Sequence, residues 1–327
     1  MKPASGMLAA VALLLPGLCM PQVPAPDLPL MQPIASTDSV LVVSPHPDDE
    51  SLCCGGLIDT ARRLGANVAI VWITYGDAFK WDAMVVERTL RPRPGTYLEL
   101  AEQRGTEARA AASILEVPSK TQFFLGYPDR GVLSLLFDHY FPTTPWRSKF
   151  TGENAVVYED AVRPGATYDG EDLVEDFSSV VDRVKPTLVL APSPQDTHPD
   201  HRAAGLLALR VMMERGQPER VRFWVVHGGR GWPTPRAFRP DLPQTIAPRG
   251  RGMQWERFPL DAAAIDSKHR AIEAHRSQTR VMHHVMLSHI RSLELYSLTP
   301  VPAHTDLCLR PEPCEFEDQP LMEESGL

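Results

Sequence analysis

The sequence predicts an α/β protein with a Rossmann-like, mostly parallel sheet that carries helices on both faces. Short apolar and β-branched runs alternate with longer segments of helical periodicity, which is typical of βαβ units. Similar His-Pro-Asp clusters follow two of the expected strands, and open α/β sheets bind ligands beyond the carboxyl ends of their strands. The 327 residues are 43% hydrophobic and 23% charged, a composition that supports a packed core.

The first 25 residues are expected to be a secretory signal peptide. Lys2 precedes an apolar run at residues 7–18, which has the length found in such signals. We therefore expect export to the periplasm or the exterior, with a Pro-rich linker at residues 26–37. Lipoprotein anchoring at Cys19 is the less favoured alternative, because Leu18 stands where a small residue is usual.

One domain is expected over residues 38–298, where strands and helices alternate. The predicted strands share a short, apolar and largely β-branched composition and lie at residues 40–43, 68–74, 122–125, 187–191 and 222–227. The predicted helices have apolar residues at helical spacing and lie at residues 50–64, 97–115, 172–184, 202–214 and, as one or two helices, 261–290.

Three segments show no sustained period and are expected to be loops or tails. Residues 128–167 mix aromatic residues, prolines and glycines, and loops of this length often cover a site. Residues 228–251 are expected to be a second loop. Residues 299–327 form a polar, Pro-rich tail, where Cys308 and Cys314 are able to pair in an oxidising compartment. Cys53 and Cys54, at an apolar helix start, are expected to pack in the core.

Charge and hydropathy exclude two kinds of feature, namely non-specific nucleic-acid binding and a conventional membrane-spanning helix. The formal net charge is −8, and no long stripe of lysine and arginine is present. Non-specific nucleic-acid binding therefore lacks its electrostatic driving force. The sequence also has no run of about 18 apolar residues, which excludes a conventional membrane-spanning helix.

The two His-Pro-Asp clusters carry the chemistry. The first is the His-Pro-Asp-Asp of residues 46–49, directly after the first strand, and the second is the His-Pro-Asp-His of residues 198–201, shortly after the fourth. Each proline biases the preceding histidine away from helical geometry and suits the start of the helix that follows. Both histidines are therefore expected at strand-to-helix turns on the ligand-binding edge of the sheet.

These residue types predict a metal site with an adjacent base. His46 and Asp49 are three residues apart and able to share a metal ion, and His201 supplies a third ligand from the other turn. Two imidazoles and one carboxylate suit Zn²⁺ and leave a position for water, while Asp48 is able to act as general base. Spacing leaves two alternatives open: His198 ligates as readily as His201, and Asp200 is able to replace either.

The Pro-His-Pro-Asp-Asp-Glu of residues 45–50, together with residues 198–201, resembles the PIG-L/LmbE-like deacetylases. Further stretches are similar in order: the Thr-Tyr-Gly-Asp of 74–77, Arg104 with Glu107, the segment 125–129, and Lys268 with the His-Arg-Ser-Gln of 275–278. The resemblance spans about residues 38–298. It implies a Rossmann-like, zinc-dependent enzyme that removes acetyl groups from N-acetylglucosamine-type substrates.

The resemblance also implies a role for each site residue. His46, Asp49 and His201 would bind Zn²⁺, with Fe²⁺ or Co²⁺ as substitutes, and Asp48 would be the base. His198 would be the cationic partner of the oxyanion or leaving group. Asp200 would orient His198 and raise its pKa by charge pairing.

Substrate contacts are expected from four residues: Arg104, Asp77, Asp129 and His275. Each has a structural alternative, namely a salt bridge for Arg104, capping for the two aspartates and packing for His275. The remaining histidines are expected to have no part in the site, and they are His139, His227, His269, His283, His284, His289 and His304.

The expected function is therefore zinc-dependent hydrolysis of the N-acetyl group of an N-acetylated amino sugar or glycoconjugate. An amidase with a larger N-acyl substrate and a catalytically idle carbohydrate-binding relative are the nearest alternatives. A non-haem iron oxygenase also uses two histidines and one carboxylate. The second acid, Asp48, argues against that alternative, since an oxygenase has less use for a base beside the metal.

Overall fold

The structure is a computed structural model, and it describes residues 25–302. The predicted signal peptide up to residue 24, Cys19, His304 and the pair Cys308 and Cys314 lie outside the described residues. Segment 26–37, predicted as a linker, instead docks on the domain: the N–H of Met31 donates to the carbonyl of Arg257 at 3.0 Å, and the N–H of Arg257 donates to that of Pro29 at 2.9 Å.

Within residues 25–302, one mixed sheet contains seven strands, namely β1 (Ser39–Ser44), β2 (Asn67–Thr74), β3 (Gln122–Tyr127), β4 (Leu188–Pro192), β5 (Val221–Trp224), β6 (Trp255–Pro259) and β7 (Leu293–Ser297). Their order across the sheet is β3-β2-β1-β4-β5-β7-β6. Strands β1 to β5 pair in parallel, and β7 runs antiparallel to both β5 and β6. The predicted mostly parallel sheet is confirmed.

The helices of the described residues are α1 (Asp49–Arg63), α2 (Lys80–Glu87), α3 (Pro94–Ile114), α4 (Val132–Phe137), α5 (Gly170–Val184), α6 (Pro199–Glu214), α7 (Ala262–Ala274) and α8 (Arg276–Leu287). They cover the sheet in two layers, one built around α1, α3 and α7 and the other around α4, α5 and α6. The predicted pair within residues 261–290 is present as two helices, and α2 and α4 were not predicted. None of these helices is long and apolar enough to span a membrane.

Burial on both faces explains why the central strands are continuous apolar runs rather than alternating ones. Residues 40–43 of β1 are fully buried. On the neighbouring β2, Trp72 stacks on Phe124 of β3 with the ring centroids 4.3 Å apart. The prediction that Cys53 and Cys54 lie in the core is confirmed, and the structure joins the two sulfur atoms in a disulfide within α1.

The segment 128–167 packs against the edge strand β3. The N–H of Val162 donates to the carbonyl of Phe124 at 2.7 Å, which satisfies part of that edge. Tyr158 stacks on Tyr75, with 4.0 Å between the ring centroids. Gly126 has φ of 83°, and a Cβ there would lie 2.7 Å from the Val156 side chain. The segment predicted as a loop that covers a site is therefore anchored along much of its length.

Strand order determines where a site forms. β1 lies between β2 and β4, so the chain leaves β1 toward one edge and returns at β4 to build the other. The crevice at such a switch point, beyond the carboxyl ends of the strands, is the usual ligand site of an open α/β sheet. The turns that follow β1 and β4 carry the two His-Pro-Asp clusters.

Candidate metal centre

The turn after β1 is held by the buried carboxylate of Glu50. This side chain ties the last residue of β1, the turn and helix α1 to β2 and to the start of α8. Glu50 is the last residue of the Pro-His-Pro-Asp-Asp-Glu motif, and the motif alone indicates no role for it. Its partners are Ser44 Oγ at 3.1 Å, the N–H of Asp48 at 3.1 Å, Ser51 Oγ at 2.8 Å, Trp72 Nε1 at 2.9 Å and His275 Nε2 at 2.9 Å.

Asp48 has an unusual backbone conformation, with φ of 125°. Such a conformation costs about 1–3 kcal/mol and persists where neighbouring groups fix it. Glu50 binds the N–H of Asp48, and Arg104 Nη2 donates to the adjacent carbonyl of Pro47 at 2.8 Å. Although Asp48 is the N-cap of α1, its carboxylate makes no capping hydrogen bond, which leaves it available to the site.

The turn after β4 presents the second cluster. His198 is the N-cap of α6, and its Nδ1 accepts the N–H of Asp200 at 3.2 Å. Pro199 is the first residue of the helix, as predicted, because its missing N–H costs nothing there. His201 follows in the first turn, fully buried.

The two turns converge on one oxygen of Asp49. Its Oδ2 lies 3.2 Å from His46 Nδ1 and 3.1 Å from His201 Nε2. Ligands of a tetrahedral zinc ion at about 2.0–2.2 Å lie roughly 3.3–3.6 Å apart, so this spacing is close to that of a metal site. Both ring nitrogens of His201 are buried without an aligned hydrogen-bond partner. The donor set and the unpartnered imidazole therefore fit a divalent metal ion.

Carboxylates also face the other nitrogen of each imidazole. His46 Nε2 lies 3.2 Å from Asp200 and 3.3 Å from Asp129, and His201 Nδ1 lies 3.3 Å from Asp196. Metal-bound histidines commonly have such partners, which fix the ring orientation and the tautomer. Burial acts to raise the pKa of Asp49, but His201 and His46 outweigh it and hold that pKa well below its usual range.

The predicted pairing of Asp200 with His198 is wrong. The Asp200 carboxylate contacts His46 and accepts the N–H groups of Arg130 and Val132, the second at 3.1 Å. Burial, together with the neighbouring His46 and His201, holds the pKa of His198 well below its usual value. Because the Nδ1 of His198 accepts the N–H of Asp200, the ring is neutral in this arrangement and its proton is on Nε2.

Asp48 lies beside this cluster in a buried position. Burial raises the pKa of its carboxyl group to about 7, in spite of Arg104, whose charge acts in the opposite direction. Arg104 Nη2 lies 3.4 Å from Asp48 Oδ2, and Arg104 Nη1 donates to the carbonyl of Gly76 at 2.9 Å. The arginine expected to contact substrate is thus engaged in holding the turn that carries Asp48.

The other predicted substrate contacts are also engaged within the protein. Asp77 accepts the N–H of Asp129 at 2.9 Å and the Tyr158 hydroxyl at 3.0 Å. Asp129 accepts the N–H of Ala78 at 3.0 Å, while its second oxygen faces His46. His275 is fully buried on Glu50, which contradicts a direct substrate contact and matches the packing alternative.

Two site residues were missed by the sequence reasoning, Asp196 and His227. The ring centroid of His227 lies 4.7 Å from that of His201, and donor atoms of Asp49, His201 and His227 lie within 4.8 Å of one another. The expectation that His227 lies apart from the site is therefore wrong. Its position three residues beyond β5 is the strand-end signal that identified the other two turns.

Comparison with known families gives one match over half of the chain. Residues 41–212 match the profile of the family described as PIG-L: GlcNAc-PI de-N-acetylase. The matched region begins in β1 and ends in α6, so it contains both His-Pro-Asp turns.

Two curated relatives are similar over part of their length. The chain is 25% identical over 205 residues to the diacetylchitobiose deacetylase of Thermococcus kodakarensis, covering 62% of this chain and 59% of that protein. It is 26% identical over 190 residues to the 1D-myo-inositol 2-acetamido-2-deoxy-alpha-D-glucopyranoside deacetylase of Corynebacterium urealyticum, covering 56% and 51%. The chain therefore spans little more than half the length of these relatives.

A solved structure supports the fold. The A40926 pseudoaglycone deacetylase superposes with a TM-score of 0.51 and 18% identity, covering 80% of this chain and 96% of that chain. At this identity the likeness concerns the architecture alone.

Proposed function

The chain belongs to the PIG-L family, and from this premise we propose that it is a metal-dependent N-deacetylase. The proposed reaction is hydrolysis of the acetamido group of an N-acetylated amino sugar or of a glycoconjugate that contains one. The names of the two curated relatives support this substrate class, since each acts on a 2-acetamido sugar or its oligomer.

The observation that carries the proposal is the convergence of His46 and His201 on Asp49, with the acid Asp48 beside them. We propose these three converging side chains as the metal ligands. Zinc is the preferred ion, and Fe²⁺ or Co²⁺ suits the same donors. A bound divalent ion would acidify a water molecule and polarise the acetyl carbonyl.

Asp48 is the proposed general base. Its ionised carboxylate takes the proton of the attacking water and then delivers it to the sugar nitrogen, whose bond to the acetyl carbon breaks. The products are acetate and a free amine. A carboxyl group with a pKa near 7 is well matched to both transfers at neutral pH.

His198 is proposed as a neutral hydrogen-bond donor to the developing oxyanion. Its Nδ1 is occupied by the N–H of Asp200, so Nε2–H is free to donate. A preorganised donor of this kind stabilises negative charge without itself carrying a proton to lose. This role replaces the cationic one that the sequence suggested.

The test is acetate release by zinc-loaded protein that lacks residues 1–25. N-acetylglucosamine monomers, oligomers and conjugates are compared, with Asp48→Asn as the matched variant. Release by the wild type that is lost in the variant supports the proposal and ranks the substrates. Metal binding without release from any substrate would contradict it and favour the carbohydrate-binding alternative.

We further propose that the protein is exported. The support is Lys2 followed by the apolar run at residues 7–18. Intact-mass measurement on protein recovered from the exported fraction tests this: loss of about 25 residues is expected, and retention of Met1 would refute cleavage.

A further inference from the structure

Asp196 lies between β4 and α6, in the short connection that precedes His198. Its N–H donates to the carbonyl of Ser193 at 2.9 Å, which closes a tight turn. Only 2% of the residue is exposed. A carboxylate in such a position is retained only where charged or hydrogen-bonding partners offset the loss of hydration.

The partners of Asp196 come from two separate segments of the site. Oδ1 accepts the N–H of His198 at 2.9 Å. Oδ2 accepts the N–H groups of Val226 at 3.1 Å and His227 at 3.0 Å. One carboxylate therefore links the turn after β4 to the segment after β5. Both donors lie just beyond Trp224, the last residue of β5.

The same Oδ2 also faces a candidate ligand. It lies 3.3 Å from Nδ1 of His201, a close charge contact without the alignment of a hydrogen bond, while Nε2 of that ring faces Asp49. An anion on the Nδ1 side favours the tautomer with a proton there and leaves the Nε2 lone pair directed at Asp49. Partners of this kind raise the basicity of a metal-binding imidazole.

We propose that Asp196 is the positioning residue of the metal centre: it orients His201 as a ligand and holds His198 and His227 around it. This inference rests on the proposed function, because it takes His201 as a ligand. Loss of such a partner typically weakens metal binding about 10- to 100-fold.

The experiment measures metal affinity directly. Asp196→Asn removes the charge but keeps a carbonyl oxygen for the backbone donors, and Asp196→Glu keeps the charge at a displaced position. Asp169→Asn is the matched control, since Asp169 is a buried aspartate that caps α5 by accepting the N–H of Asp172 at 2.9 Å. Zn²⁺ dissociation constants come from chelator competition, the ligand field from Co²⁺ absorption spectra, and the fold from the Tm of the metal-free protein.

We expect Asp196→Asn to bind Zn²⁺ about 10- to 100-fold more weakly and to change the Co²⁺ spectrum. Asp196→Glu should recover part of the affinity, and Asp169→Asn should bind as the wild type does. Wild-type affinity and spectrum in a folded Asp196→Asn would overturn the proposal. If Asp196→Asn does not fold, Asp196→Ser, which also removes the charge, takes its place, and wild-type affinity with an unchanged spectrum in the folded Asp196→Ser would likewise overturn the proposal.

The outcome is separable from that of the proposed function, because metal affinity requires no substrate. Weakened metal binding in Asp196→Asn, with no acetate release from the wild type, would refute the deacetylase assignment and leave the positioning role intact. A wild-type protein that binds no divalent metal would refute both.

Discussion

Replacing Glu50 by Gln should destabilise the protein by an amount that depends on pH. The Asp48 N–H and the Trp72 indole both donate to Oε2, so the amide oxygen in that place keeps these two donors. His275 and Ser51 then face the amide nitrogen in place of a carboxylate oxygen. Loss of a charge-assisted hydrogen bond in this position costs about 1.5–3 kcal/mol, which corresponds to a fall in Tm of about 2–5 °C for a chain of this size.

The pH dependence follows from the Glu50–His275 pair. Burial acts to lower the pKa of His275, but Glu50 outweighs it and raises that pKa. Stabilisation through charged His275 is therefore complete below about pH 6.5 and is lost as the pH rises through the raised value. Burial acts to raise the pKa of Glu50, but His275 holds that pKa below its usual value. The stabilisation that ionised Glu50 contributes is therefore complete above about pH 4.3 and is lost only in stronger acid.

The measurement is the Tm of wild type and variant in the metal-free state at pH 5.5 and pH 8.5. The difference should be larger at pH 5.5, where the wild type has both charges and the variant buries a histidine that the unfolded chain protonates. Glu175→Gln is the control, because that side chain is 71% exposed and its loss should change stability by less than about 0.5 kcal/mol. A difference that is equal at both pH values would refute the assignment of the pair.

Three further predictions concern activity and metal content. Asp48→Asn should bind zinc normally and release acetate about 10²- to 10⁴-fold more slowly. The control Asp59→Asn, in helix α1, should change neither property. Full activity in Asp48→Asn would show that Asp48 is not the base. His46→Ala should contain no bound metal by elemental analysis. The control His283→Ala, which replaces a side chain that is 47% exposed, should retain the metal. One zinc ion per chain in His46→Ala would disprove the role of His46 as a ligand. Arg104→Lys should keep metal but lower kcat about 10- to 100-fold, because the turn that positions Asp48 loosens. Arg109→Lys on the same helix is its control. A kcat in Arg104→Lys equal to that of the wild type would contradict this prediction.

The parallel strands were predictable because both faces are buried, which leaves a continuous apolar signal in the sequence. β6 and β7 were not, because they are short antiparallel strands in which charged residues interrupt the apolar pattern. Glu294 of β7 is an example: it is buried only because Lys268 Nζ lies 2.7 Å from it and the N–H groups of Gly56 and Leu57 donate to it. Such compensation comes from distant segments and leaves no periodic trace.

In the site, too, some features were predictable from the sequence and others were not. The strand-end position and the metal-ligand spacing of the two turns were readable from the sequence, and these turns do converge. The partner of Asp200 was not predictable, because the orientation of its carboxylate depends on the backbone N–H groups of Arg130 and Val132. These two groups belong to the segment that follows β3. His227 could have been found by the strand-end argument, whereas Asp196 required knowledge of how its own turn folds.

The switch-point position of the candidate centre makes metal affinity a measure of long-range folding. His46 and Asp200, in contact across the two turns, are 154 residues apart in sequence, and the donors meet only after β4 has paired with β1. Closing a loop of this length costs conformational entropy. A partly folded chain in which β4 has not paired with β1 has not closed this loop. An ion that binds the native chain alone would then shift the folding equilibrium by mass action. Metal supply and the yield of folded protein would thus be linked through the parallel pairing of β4 with β1.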